Sequence, residues 1–178
     1  MPISSAPSAS SASWAVAPEP VGSAAAVALW RAYYTEVSDR WYELREGRRT
    51  DGAELERGIA ADTGAELSPP AGVLLLARHD GEPAGTAGVH LLAPGTAELT
   101  RVFILPGLRG KGGGAVLLTA AEEAARALGA TRVLLDTRHD LVEARALYVR
   151  HGYVEGPPHN TGTYAERWYR KDLTPRTA

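Results

Sequence analysis

The sequence contains no cysteine, which removes disulfides, thiolate nucleophiles and thiolate metal sites together. No serine lies beyond Ser68 and no G-x-S-x-G occurs, so a serine hydrolase of that type is excluded. The five histidines show no H-E-x-x-H arrangement; nothing points to a zinc hydrolase, and no metal is expected. A strong excess of either charge is also missing. The formal net charge is −2, which gives no electrostatic case for nucleic acid or an anionic membrane. No apolar run reaches the length needed to span a bilayer. Residues 1–13, MPISSAPSASSAS, have neither the basic start nor the apolar stretch of a signal peptide. They are expected to form a mobile tail, and the whole fits a cytoplasmic protein.

What is present is an ordinary globular composition, 44% hydrophobic and 22% charged over 178 residues. That is enough chain for one domain with a proper core, taken as residues 14–178. The chain is organised around Arg109-Gly110-Lys111-Gly112-Gly113-Gly114, with the apolar run Val102-Phe103-Ile104-Leu105 before it and a helix-like segment, Ala115 to Leu128, after it. Strand, glycine loop and helix in that order leave backbone N–H groups unhindered and aim them, with the positive end of the helix dipole, at an anion. Three glycines opening a helix cost roughly 1 kcal/mol each relative to alanine, which argues for a use. A phosphate or pyrophosphate is the natural ligand, and Arg109 and Lys111 add positive charge beside it. A Walker-type P-loop fails, because Gly112 stands where Ser or Thr must reach magnesium. The dinucleotide fingerprint fits Gly110, Gly112 and Ala115, with Asp136 ending the next apolar run. Too little chain follows Asp136 for the further strand–helix units of that fold, so NAD binding is the weaker reading.

Three stretches together carry a family resemblance. Arg109-x-x-Gly112-x-Gly114 resembles the R/Q-x-x-G-x-G/A signature of the GNAT superfamily of N-acetyltransferases, whose loop binds the pyrophosphate of coenzyme A. Glu98 to Pro106 resembles the family's fourth strand and the proline after it. Ala144, Leu147, Tyr148, Gly152 and Tyr153 resemble its second motif, A-x-x-L-Y-x-x-x-G-F/Y. The resemblance implies an α/β (α+β) fold: a mixed, mostly antiparallel sheet of about six to seven strands flanked by about four helices, with strands four and five parallel and splayed. It implies an acetyl-CoA-dependent N-acetyltransferase acting on a primary amine of a small molecule or amino acid derivative. A protein or peptide acceptor stays open, as does a non-catalytic acyl-CoA sensor, and a homodimer is admitted.

The same resemblance distributes roles. Arg109, Gly110, Lys111, Gly112, Gly113 and Gly114 would hold the pyrophosphate, and backbone groups around Phe103 and Ile104 the pantetheine arm. Tyr148 would protonate the departing thiolate; tyrosine near pKa 10 can donate to a thiolate whose conjugate acid lies near about 8.5. Glu98 is the candidate base for the amine, directly or through water, with an ion pair to Arg101 as its structural alternative and His90 as a second base. Where the family often carries an asparagine on the pantetheine arm this chain has Leu141, with Asp140 as a neighbour that could compensate.

The remaining elements follow from pattern. Trp14 to Ala17 reads as a short strand. Leu29, Tyr33, Val37, Trp41 and Leu44 form a helical stripe within Ala24 to Leu44. That segment concentrates Trp30, Tyr33, Tyr34, Trp41 and Tyr42, mostly core by this reading, and the turn after it, with Arg48 and Arg49, would border the acceptor pocket by the same resemblance. A second helix is expected at Asp51 to Ala61, strands at Val73–Arg78, Ala84–Leu92, Ala97–Leu105, Thr131–Thr137 and Ala165–Leu173, and a helix at Leu141–Arg150 opened by a capping box of Asp140 and Glu143.

Overall fold

The computed structural model describes residues 13–174, so all but the last residue of the expected tail lies outside the described residues. In chain order the elements are strand β1 (Trp14–Pro18), helices α1 (Ala24–Glu46) and α2 (Gly52–Ala61), and strands β2 (Gly72–His79), β3 (Glu82–Ala93) and β4 (Thr96–Ile104). Helix α3 (Gly113–Ala127), strand β5 (Arg132–Thr137), helix α4 (Val142–Arg150) and strands β6 (Val154–Glu155) and β7 (Arg167–Asp172) complete them. The seven strands form one sheet in the order β1-β2-β3-β4-β5-β7-β6. Among the described residues only the β4–β5 pair is parallel; the others are antiparallel. This is the mixed sheet with four helices that the resemblance implies; the two-residue β6 is an addition to the expected elements.

Local chemistry sets the helix ends. The Ser23 hydroxyl caps α1 by accepting from the Ala26 N–H, and Gly47 at φ +65° closes it. Asp51 caps α2 through the N–H groups of Ala53 and Glu54. Helix α3 differs: its N-cap is Gly112 at φ +85°, with no side chain to accept from the first turn. Those N–H groups are left for something else. The expected capping box at α4 does not form. Leu141 is the N-cap without a side-chain bond, because the Asp140 carboxylate is bound on both oxygens by Arg138, at 2.8 Å each. A bidentate guanidinium outcompetes a pair of neutral backbone donors.

A bulge in β4 decides which side chains face which layer. Thr86 pairs with Phe103 and Gly88 with Thr100, so Arg101 and Val102 together oppose the single residue Ala87. Arg101 takes φ +51°, and the Thr86 hydroxyl donates to its carbonyl at 3.0 Å. One extra residue flips the alternation. Before the bulge, Ala97 and Leu99 join Leu75, Ala77 and Val89 against Leu117, Leu118, Ala121 and Ala125 of α3. After it, Phe103 packs on the opposite face with Leu29 of α1 and Leu76.

Pairing of β4 with β5 covers Thr96–Arg132, Ala97–Val133 and Glu98–Leu134 and then stops. From Leu99 onward β4 has no β5 partner, so the two strands part in the middle of the sheet, as the resemblance implies. The opening is lined on the β4 side by backbone groups that a ligand can use.

Candidate active site

Two cavities meet at this parting. One is a cleft of about 410 Å³ that runs past the glycine loop, between α1, β4 and α4. The other is a chamber of about 240 Å³ whose walls are aromatic. Tyr33, Val37, Val102, Leu141 and Ala144 line both, so the two form one continuous path through the sheet.

Of the residues expected to hold coenzyme A, Phe103, Ile104, Arg109, Gly110, Gly112, Gly113 and Gly114 lie along the cleft. The glycines are needed for different reasons. Gly110 and Gly112 have φ of +77° and +85°, and a Cβ at either would point into open space. Their requirement is conformational, and it leaves the backbone accessible. A Cβ on Gly113 would come within 2.4 Å of the Trp14 ring, and one on Gly114 within 2.9 Å of Leu147. These two glycines serve packing beneath the loop. Lys111 is not among the residues that line the cleft, and its carbonyl accepts the Trp14 indole N–H at 2.8 Å. Trp14 therefore supports the loop from β1, a role that a residue nearly one hundred positions upstream gave no local signal of.

Arg109 is held back in this state. Its Nε donates to the Ile104 carbonyl at 3.0 Å, and its Nη2 lies 2.8 Å from both Glu36 oxygens on α1. Asp140 is engaged elsewhere as well: besides Arg138, Arg40 Nε approaches it at 3.1 Å. Burial alone would raise its pKa, but the two guanidinium groups hold the carboxyl below its ordinary value. Asp140 thus ties α1 to the β5–α4 turn, and Leu141 is the residue that reaches the cavities.

Tyr148 projects from α4 into the aromatic chamber. It is 5% exposed, its ring packs edge-on to Tyr153 at 6.0 Å, and no described residue takes a hydrogen bond from its hydroxyl. Burial raises its pKa, and the neighbouring Tyr33 and the charge of Asp136 push the same way. The phenol therefore stays protonated and unpaired, with its hydrogen available to a group that enters the chamber.

Glu98 is the last residue of β4 that pairs with β5, and Arg101 is not its partner. Arg101 is buried over the Trp30 ring at 3.8 Å and paired with Asp62. Glu98 instead sits between two histidines, with His159 Nε2 at 3.1 Å from one oxygen and His90 Nε2 at 3.4 Å from the other. The Asn160 amide joins the group: Nδ2 donates to Asp136 at 2.7 Å and reaches Glu98 at 3.3 Å, while its oxygen accepts the Trp168 indole N–H. Glu98, Asp136 and His159 each bring a polar side-chain atom within 4.8 Å of the others. His159 and Asn160 lie between β6 and β7, in a stretch without periodic pattern, and went unrecognised in the sequence. Asp136 drew notice there only as a candidate ribose contact; it lines the chamber.

This arrangement gives room for two ligands that meet where β4 and β5 part. Residues 24–153 match the acetyltransferase (GNAT) family. The uncharacterised N-acetyltransferase YhfO of Bacillus subtilis is 33% identical over 104 residues, 56% of this chain and 70% of its own length. The uncharacterised N-acetyltransferase YjgM of Escherichia coli is 32% identical over 113 residues, 55% of this chain and 68% of its own. Among solved structures, the PaiA N-acetyltransferase of Thermoplasma acidophilum, in complex with coenzyme A, superposes with a TM-score of 0.68 at 16% identity, over 90% of this chain and 99% of that one. A GNAT-family acetyltransferase of Staphylococcus aureus gives 0.66 at 15% identity, over 91% and 100%. The chain belongs to the acetyltransferase (GNAT) family, and it is an N-acetyltransferase. Among the described residues no helix is long and apolar enough to cross a membrane.

Proposed function

We propose that the protein transfers the acetyl group of acetyl-CoA to the primary amine of a small molecule or amino acid derivative. The observation that carries this reading is the junction of the two cavities where β4 leaves β5, with the uncapped α3 terminus at one end and Tyr148 at the other. The Thermoplasma structure of like fold holds coenzyme A, which supports the same donor here.

The residues suit each demand of the reaction. The open N–H groups of α3 and the Gly110–Gly112 backbone match a pyrophosphate, and Arg109 can exchange Glu36 for a phosphate oxygen. An extended pantetheine arm fits beside β4, whose unpaired backbone groups can hold it as a neighbouring strand would. There the same backbone can donate to the acetyl oxygen and stabilise the charge that develops as the amine adds. The cluster of Glu98, His90 and His159 gives the proton that the ammonium must lose a route out of the site. As the tetrahedral centre collapses, the C–S bond breaks and Tyr148 supplies the proton to sulfur.

Titration calorimetry with coenzyme A, followed by acetyl-CoA consumption across amines, amino acids, aminoglycosides and peptides, tests the proposal. Micromolar binding with turnover of a small amine is expected. Tight binding without turnover on any acceptor would favour the sensor reading instead.

A further inference from the structure

The aromatic chamber has a composition that selects its guest. Trp30, Tyr33, Tyr34, Trp41, Tyr42 and Tyr164, together with Tyr148, supply seven rings around it, and the charged groups on its walls are Arg101, Arg138 and Asp136. Both arginines are spoken for. Arg101 is paired with Asp62 and covered by Trp30, and Arg138 is bound to Asp140 and to the Val37 carbonyl. Asp136 differs. One of its oxygens accepts from Asn160 and the other has no partner among the described residues. Glu98, by contrast, has both oxygens engaged and does not line the chamber.

We propose that the chamber is the acceptor site for a primary amine carried on an apolar, ring-sized body, with Asp136 as the group that receives the ammonium and takes its first proton. This deepens the acetyl-CoA reading and rests on it. Rings offer an apolar wall and negative faces to a cation, and a single free carboxylate among them fixes where the cation lies. The position of Asp136 is suited to chemistry. It lies on β5 two residues past Leu134, the last residue paired with β4, and so flanks the opening where the acetyl group would sit. Its charge also bears on the hydroxyls of Tyr33 and Tyr148 from the same space.

The step balances. R–NH3⁺ gives one proton to the Asp136 carboxylate, and the free amine attacks the thioester carbonyl to form the C–N bond. Collapse breaks the C–S bond. The second nitrogen proton compensates the one that Tyr148 gives to sulfur, leaving amide and thiol. The Asp136 proton passes to water or to the Glu98–His159 pair within 4.8 Å.

Size favours a small guest over a peptide. The chamber's volume of about 240 Å³ lies below the about 300–1,000 Å³ usual for drug-sized ligands. Two of its wall residues, Trp41 and Tyr164, are in ring contact at 5.9 Å.

The test uses the full chain with 2-phenylethylamine, n-propylamine and a hexapeptide with a free α-amine. Acetyl-CoA binding is measured first by calorimetry. With binding established, kcat/KM is expected to favour 2-phenylethylamine over n-propylamine and the hexapeptide by at least about tenfold. Asp136→Asn should lower kcat/KM for 2-phenylethylamine by about 10²–10⁴-fold, as for loss of a general base, with acetyl-CoA affinity unchanged. Trp41→Leu should raise KM for 2-phenylethylamine and leave that for n-propylamine within about twofold. Failure to bind acetyl-CoA overturns the donor reading and this inference with it. Binding with equal or reversed acceptor preference, or an Asp136→Asn enzyme as fast as wild type, overturns this inference alone.

Discussion

Arg109 and Glu36 face each other in the cleft beside the glycine loop, with Nη2 2.8 Å from both carboxylate oxygens. A phosphate that recruits Arg109 must displace Glu36, and Glu36 also places a negative charge near the incoming anion. The pair is partly exposed, at 42% and 29% for the two side chains, so its worth lies in the about 0.2–1 kcal/mol range of such bridges. Glu36→Gln should therefore tighten coenzyme A binding by roughly two- to fivefold, read as Kd by calorimetry. A weaker Kd would mean that Glu36 holds Arg109 ready for the ligand.

Gly112→Asp should abolish coenzyme A binding with only a modest loss of thermal stability. The residue would have to keep φ +85°, at a cost of about 1–2 kcal/mol, and would put a carboxylate at the uncapped end of α3. Gly114 is not an equivalent probe, because a side chain there meets Leu147 first. Calorimetry on a folded Gly112→Asp variant that still bound coenzyme A would remove the phosphate loop from the account.

Asp140 should show its contribution in the pH dependence of stability. Its carboxyl is held below the usual range by Arg138 and Arg40 against the opposing effect of burial. A depressed folded-state pKa contributes stability that is fully present above the unfolded value and fades as pH falls through the folded one. Asp140→Asn should thus cost about 1.5–3 kcal/mol at pH 7, the scale of charged hydrogen bonds, and the gap to wild type should shrink below about pH 4. Urea melts at the two pH values check this; a pH-independent gap would assign the loss to packing.

The organising features were legible because they are local or carry the family's spacing. The glycine loop, the strand before it and helix α3 sit within 32 residues of chain (96–127), and Gly129 follows that helix at φ +87°. What escaped is made by distant chain. Trp14 reaches Lys111 across 97 positions, and Asn160 joins Asp136 to Glu98 from 24 and 62 positions away. Neither contact leaves a periodic trace. Asp140 misled for a related reason: its spacing to Glu143 suits a capping box, but Arg138 two residues before it offers a stronger partner. The β4 bulge was also hidden, since nothing in Thr100-Arg101-Val102 marks the extra residue that Thr86 holds in place.

Glu98→Gln should slow the reaction most where the acceptor amine is largely protonated. The amide preserves the shape between His90 and His159 but cannot accept a proton. As pH rises and free amine becomes abundant, the variant should approach wild type in kcat/KM. A profile that is scaled down uniformly would leave Glu98 a structural role, holding His159 and Asn160 in position.

The account turns on Tyr148. Its ring belongs to the core while its hydroxyl reaches the chamber without a hydrogen-bond partner, so Tyr148→Phe removes one oxygen and leaves packing intact. Folding and coenzyme A affinity should stay close to wild type. If the hydroxyl protonates the thiolate, its interaction exists mainly in the transition state, and kcat and kcat/KM should fall together. The direct measurement is steady-state kinetics of Tyr148→Phe with the best acceptor, under conditions where chemistry limits the rate. A fall of about 10²–10⁴-fold in kcat is the predicted result; a kcat within about twofold of wild type would contradict it and make Tyr148 a packing residue.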